Sequence, residues 1–230
     1  IKAEKITHDK IKRDMIYKNA FLRIYDVPVL YFPKFFHPDP SVKRRSGFLR
    51  PQFNNSETLG SSLYIPYFKT LGHDKDLTFK PTLFEKLKKF EKEKYILQTE
   101  FRKKNKDSSL ITDIGFLRDY KSYTDKKYRN SNHFFLDFVG DLKLPNYSDS
   151  SFNAQIERVN NDTYLKVFDS VLLKTPVMPG SQSTMNSNLK FNLDQEYQNF
   201  STGFEIHESL GTKSSDRYQF TLPYYNLSKN

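Results

Sequence analysis

The chain has 230 residues, with 37 Lys+Arg against 27 Asp+Glu for a formal charge of +10, and only 37% of it is apolar. The absence of cysteine excludes a disulfide framework and a thiolate metal site within these residues, and 8 glycines are too few for a collagen-like or glycine-linker composition. Aromatic residues reach 16%, with 21 Phe and 15 Tyr but no Trp, which excludes a disordered basic tail.

No stretch approaches the roughly 20 apolar residues of a membrane-spanning helix. The best uncharged run, residues 27–33, is short and carries Pro28 and Pro33. The sequence begins at Ile1 with no charged-then-apolar signal segment ahead of it, so a mature or internal piece of a longer protein is expected. Residues 1–25 are polar with dotted apolar positions (Ile6, Ile11, Ile16, then Phe21, Leu22, Ile24 and Tyr25) and no helical stripe, which reads as short strands. The stretch 26–40, DVPVLYFPKFFHPDP, packs four prolines among aromatics, forbids a regular helix and reads as a boundary.

After Gly47 the pattern becomes strict alternation, the period of a strand with two different faces. Leu77, Phe79, Pro81 and Leu83 oppose Thr78, Lys80 and Thr82; Tyr95, Leu97, Thr99 and Phe101 oppose Ile96, Gln98, Glu100 and Arg102; Leu110, Ile114 and Phe116 oppose Asp113 and Gly115. The same holds for Phe134, Leu136 and Phe138 against Asp137, for Phe152, Ala154 and Ile156 against Gln155 and Glu157, and for Leu189, Phe191 and Leu193 against Lys190 and Asp194. Tyr218, Phe220, Leu222 and Tyr224 oppose Arg217, Gln219 and Thr221. Polar joints are read at 103–109, 128–132, 146–151 and 179–184. Residues 81–95 fit either an amphipathic helix or a strand, charged turn and strand.

Two environments satisfy such strands. In a soluble antiparallel sheet or sandwich the apolar faces pack on one another, while the charged face (Glu100, Arg102, Asp113, Asp137, Lys190, Asp194) lies in water. In an outer-membrane barrel the apolar face meets lipid and the polar face a wet lumen, with strands of about 9–11 residues. Tyrosines at segment ends (Tyr95, Tyr120, Tyr123, Tyr128, Tyr197, Tyr224, Tyr225) suit aromatic girdles and a sandwich surface alike.

Nothing points to catalysis. His8, His37, His73, His133 and His207 are dispersed, none in a metal-ligand spacing, and the adjacent pairs His8-Asp9 and His73-Asp74 read as turn residues expected to be exposed without function. No nucleophile-elbow, phosphate-loop or dinucleotide motif occurs, Glu91 and Glu93 read as solvated charge, and no catalytic residue, metal or cofactor is assigned. Basic residues are interleaved with acids along the chain, which argues against nucleic acid as a partner.

The stretch 26–40 followed by KRRSGFLRP at 43–51 closely resembles the signature of the LptD (OstA, organic-solvent-tolerance) family of outer-membrane lipopolysaccharide-assembly proteins. Gly60, then IPYF at 65–68, DLTFKP at 76–81, EFR at 100–102, NDTYLKVF at 161–168 and LPYY at 222–225 follow in the family's order. The resemblance implies an all-β chain: residues 1–40 as the end of a periplasmic β-jellyroll with a proline-rich hinge (Pro28, Tyr31, Pro33, Pro38, Pro40), and residues 41–230 as the N-terminal part of an antiparallel transmembrane β-barrel. At roughly 20 residues per strand and turn this gives about nine or ten strands of an incomplete barrel.

The function so implied is to take lipopolysaccharide from the jellyroll into the barrel and release it through a lateral seam to the outer leaflet. The alternative from another class is a soluble β-sandwich binding acidic polysaccharide at the cell surface. Partners implied by the resemblance are lipopolysaccharide, an LptE-like plug lipoprotein, an LptA-like periplasmic bridge protein and the outer membrane. It also implies that Pro51 and Pro66, beside the first two barrel strands, keep that seam loose, since a strand proline donates nothing to the ladder. Lys43, Arg44, Arg45 and Arg50 are candidate contacts to the lipid head group, or else a solvated turn.

Overall fold

The computed structural model describes residues 2–42, 44–56, 59–85, 95–120, 129–172 and 175–229. Two compact units divide at Ser46 and Gly47.

The first unit is a three-stranded antiparallel sheet of β1 (Lys2–Asp9), β2 (Asp14–Ile24) and β3 (Val27–Pro38) in that order. The β1–β2 turn is closed by Asp9 Oδ1, which accepts from the Ile11 and Lys12 amides at 3.0 Å each. The stretch expected as a hinge is therefore mostly strand: Pro28, Tyr31, Pro33 and Pro38 lie in β3, and Pro40 alone lies beyond it. Among the described residues β3 is the outer strand of this sheet, and Pro38 turns to its free side; Pro33 instead faces β2, since the Asp39 amide donates to Arg13 O at 2.9 Å and sets the odd positions of β3 toward that strand. Pairing skips Asn19 and Pro33; Asn19 turns to φ +50° there, and the Tyr31 hydroxyl donates to its Oδ1 at 2.8 Å.

The second unit is one antiparallel sheet. Its strands are β4 (Gly47–Phe48), β5 (Gln52–Ser56), β6 (Gly60–Tyr64), β7 (Tyr67–Thr70), β8 (Lys75–Phe84), β9 (Tyr95–Lys104), β10 (Ser108–Tyr120), β11 (Arg129–Asp141), β12 (Asp149–Val159), β13 (Thr184–Gln195), β14 (Gln198–Ser209) and β15 (Tyr218–Lys229). Each strand from β8 to β15 pairs with the next in sequence, and the sheet does not close among the described residues. β4 with β5 and β6 with β7 are halves of two interrupted strands, so 12 − 2 = 10 crossings result, within the nine or ten expected. Connections 85–94, 121–128, 160–183 and 210–217 at one end are longer than 71–74, 105–107, 142–148 and 196–197 at the other.

Several expectations are corrected here. The sequence periodicity gave no sign of α1 (Tyr164–Leu172), which sits within the long 160–183 connection. Residues 129–132, read as a joint, begin β11, and strand β8 extends through Phe84; the undecided 86–94 lie outside the described residues, as do Tyr123, Tyr128, Glu91 and Glu93. Tyr224 does not share a face with Leu222. Pro223 sits at an irregularity where the pairing passes from Gly203↔Tyr224 to Glu205↔Thr221, and Tyr224 turns across Gly203 to donate to Glu205 Oε1 at 3.3 Å. A Cβ on Gly203 would lie 2.9 Å from the Tyr224 hydroxyl oxygen, so the crossing needs glycine.

Among the described residues the apolar core of the second unit lies at the end with the long connections. Tyr164, Leu165 and Phe168 of α1 pack with Leu59, Phe84, Ile96, Leu117, Phe135, Val159, Met185 and Leu210, all buried. An isolated nine-residue helix is marginal in water, so this packing holds it. Phe168→Ala is expected to cost about 3–4 kcal/mol and to loosen α1; limited proteolysis should then cleave within 160–183 markedly faster than in the parent protein.

Candidate functional site

Alternation decides which side chains share a face; burial decides what each face meets. On β8 the polar residues Asp76, Thr78, Lys80 and Thr82 are buried, whereas Phe79 and Leu83 on the other face are 37% and 46% exposed. On β9 Gln98 and Glu100 are buried, and on β10 Asp113 is buried while Ile114 is 50% exposed. On these strands the polar face is thus the covered one and the aliphatic and aromatic face the exposed one, the reverse of the burial expected for a soluble sandwich.

Buried charges require partners, and these come from neighbouring strands. Lys80 Nζ donates to Glu100 Oε2 at 2.6 Å and to Asp113 Oδ2 at 3.4 Å. Gln98 Nε2 donates to Asp113 Oδ1 at 2.8 Å, and His133 Nε2 donates to the same oxygen at 2.7 Å. Arg102 Nε reaches Asp76 Oδ1 at 2.8 Å. The cluster joins β8, β9, β10 and β11, and His133 Nδ1 shares a hydrogen bond with the Tyr164 hydroxyl at 2.9 Å, which adds α1. Burial pushes ionisation of the Tyr164 phenol far up, so it takes part as a neutral hydroxyl.

His133 is itself buried. Its ring stacks on Phe135 with centroids 4.5 Å apart and fills the space above Gly115, where a Cβ would lie 2.2 Å from its Cε1. Gly115 faces His133 directly across β10 and β11, and a glycine inside a strand marks such a close approach. That pairing was the one signal in the sequence for the cluster.

At the rim, Arg217 ties the 160–183 connection to the 210–217 one. Its Nη1 and Nη2 donate to both Asp162 carboxylate oxygens at 3.2 and 2.7 Å, and its Nε donates to Glu208 Oε1 at 2.8 Å. The Gly211 amide also donates to Asp162, at 3.0 Å.

The first strands form a different kind of site. Pro51 immediately precedes β5, and Pro66 lies between β6 and β7. β4 pairs with β7 through Gly47↔Phe68 and Phe48↔Tyr67, and β5 with β6 from Gln52↔Tyr64 onward, a shift of one residue in register across the break. Within it Leu49 N donates to Pro66 O at 2.9 Å, and proline has no N–H with which to return the bond. A hollow of about 330 Å3, bounded by Phe53, Ser61, Ser62, Leu63, Leu83, Phe84 and Glu85, lies against the same strands.

Of the four basic candidates, three lie among the described residues. Arg45 Nη2 donates to Asp14 Oδ2 at 2.9 Å within the first unit; Arg44 and Arg50 are exposed, and Lys43 lies outside the described residues.

Lys80→Met is expected to destabilise the sheet by about 3–5 kcal/mol by stranding Glu100 among buried groups, and Lys80→Met with Glu100→Gln to recover part of that loss. Unfolding midpoints of the folded protein in detergent would measure both.

A family model described as "LptD protein" matches residues 15–230. Among curated relatives, the LPS-assembly protein LptD of Legionella pneumophila (strain Paris) is 30% identical over 183 residues, which is 75% of this chain and 21% of that protein. The LPS-assembly protein LptD of Pseudoalteromonas translucida is 30% identical over 66% of this chain and 19% of its own length, and that of Shewanella denitrificans 48% identical over 65 residues, 28% of this chain. The chain thus spans about a fifth of the length of the first two.

Proposed function

The chain belongs to the LptD family, and on that premise we propose that it serves lipopolysaccharide assembly at the outer membrane. In this proposal the first unit is the end of a periplasmic jellyroll that hands lipopolysaccharide to the second, the N-terminal part of a membrane barrel. The lipid then leaves sideways through a seam that starts at the interrupted strands β4–β5 and β6–β7.

The inside-out burial of β8 to β10 supports a membrane setting. A soluble sandwich would have to cover Leu83, Ile114, Phe220 and Leu222, which remain 46–62% exposed, and would not bury Lys80, Glu100 and Asp113 on the opposite face. Lipid satisfies the outward residues, and an enclosed polar wall satisfies the inward ones. The longer connections then face the cell exterior and the short turns the periplasm, the usual arrangement for such barrels. That places α1 and the Arg217–Asp162 link at the outer end of the lumen.

The observation that carries the seam is the aligned break at Pro51 and Pro66, beside the strand that ends the sheet. Pro66 deletes one ladder donor and Pro51 stands at the register slip opposite it, so strand separation here costs less than between β8 and β9, which pair without interruption from Lys75↔Lys103 to Leu83↔Tyr95. Exposed Arg44 and Arg50, with Lys43, would attract the phosphates of the head group. An LptE-like plug lipoprotein within the lumen, an LptA-like bridge protein before the jellyroll and further strands closing the barrel complete the assembly. Passage needs no bond to be made or broken by this chain.

Pro51→Thr with Pro66→Thr in the full-length protein restores the donor missing at Pro66, worth about 1 kcal/mol, and should slow arrival of new lipopolysaccharide at the cell surface by about fivefold. Pulse-labelled lipopolysaccharide reads this out; unchanged arrival would remove the seam from the account.

A further inference from the structure

Pro51, Pro66 and Pro81 follow one another at equal intervals, 66 − 51 = 15 and 81 − 66 = 15, on three successive strands. Their registers bring them to one level of the sheet. β6 pairs with β8 through Ser62↔Phe84, Leu63↔Leu83 and Tyr64↔Thr82, and β7 with β8 from Tyr67↔Phe79, without a shift between the two. Ile65 therefore stands opposite Pro81.

Which neighbour loses the bond follows from the ladder geometry. In an antiparallel pair, hydrogen-bonded residues exchange both bonds with the same partner. Ile65 N donates to Pro81 O at 3.1 Å, and Glu85 N to Ser61 O at 3.0 Å, so residues 61, 65, 81 and 85 belong to the hydrogen-bonded set of this ladder. The N–H that Pro81 lacks is the one that would return to Ile65 O. On the other side Lys104 N donates to Asp74 O at 2.7 Å, which places Pro81↔Leu97 in the non-bonded set of the β8–β9 ladder, so that ladder loses nothing. Pro66 loses its donor toward Leu49, as described above. The interrupted strand β6–β7 is thus short of a bond on both sides at the same level.

We infer that Pro81 is a third positioning residue of the seam, cutting the β6–β8 ladder where Pro66 cuts the preceding one, so that β4–β5 and β6–β7 yield together against a firm β8. This rests on the seam reading above and deepens it. The opening becomes two strands wide with its hinge line at β8, in keeping with a passenger bulkier than a single acyl chain.

Pro81→Thr in the full-length protein supplies the missing donor, and surface arrival of pulse-labelled lipopolysaccharide should fall about fivefold. An independent arm uses tethers: Tyr64→Cys with Thr82→Cys joins β6 to β8 at a non-bonded pair, and Phe79→Cys with Thr99→Cys joins β8 to β9 as the control. The first should block arrival until a reductant is added, and the second should leave it unchanged. If Pro81→Thr and the β6–β8 tether leave arrival at the parent rate while Pro51→Thr with Pro66→Thr slows it, Pro81 is no part of the seam and the seam itself stands. If none of these slows arrival, both fall. Should Pro81→Thr fail to assemble, the reductant-reversible tether decides alone.

Discussion

Asp113 has no exposed surface, and the organisation of the second unit depends on how its charge is met. Lys80 from β8, Gln98 from β9 and His133 from β11 converge on its two oxygens, so one carboxylate on β10 holds its own strand to three others. A charge without these partners would not tolerate the site, and the partners without it would be stranded in turn. Through His133 and Tyr164 the same cluster fixes where α1 lies on the inner wall. Gly115 is the geometric condition for this, since any side chain there would occupy the imidazole's place.

This cluster and the apolar outer face are two sides of one arrangement. Among the described residues the sheet's apolar packing is the ring of side chains around α1 at one end. Between β8 and β15 the strands pair continuously with their neighbours in sequence, and cohesion comes from ladders and from the inner polar network. Before β8 the pattern changes: strands are broken, prolines stand where donors are needed, and the register slips by one. Continuous and interrupted pairing are thus separated along the sheet.

The sequence made the strands legible because alternation from Leu77 to Leu222 survives in the fold with few errors. Its two-fold ambiguity between sandwich and barrel was physical, since period alone says which residues share a face and not which face is wet. α1 stayed hidden because a nine-residue helix leaves too short a stripe and follows a polar connection. Tyr224 departs from the alternation because the pairing is irregular at Pro223. The place of His133 was not legible because its partners, Asp113 and Tyr164, are 20 and 31 residues away and meet it only through strand register. Pro51 and Pro66 were conspicuous from the start through the resemblance of their surroundings, whereas the place of Pro81 needed the hydrogen-bond phase of the β6–β8 ladder.

The central claim is that the polar face of this sheet lines a wet interior and the apolar face meets lipid. It is tested most directly by labelling Asn188, Leu189, Lys190 and Phe191 of β13 one at a time with a nitroxide in the full-length protein reconstituted in bilayers. Accessibility to a lipid-soluble relaxation agent should be high at 189 and 191 and low at 188 and 190, with the opposite order for a water-soluble agent. Equal water accessibility at all four positions, or lipid accessibility at none, would contradict the account.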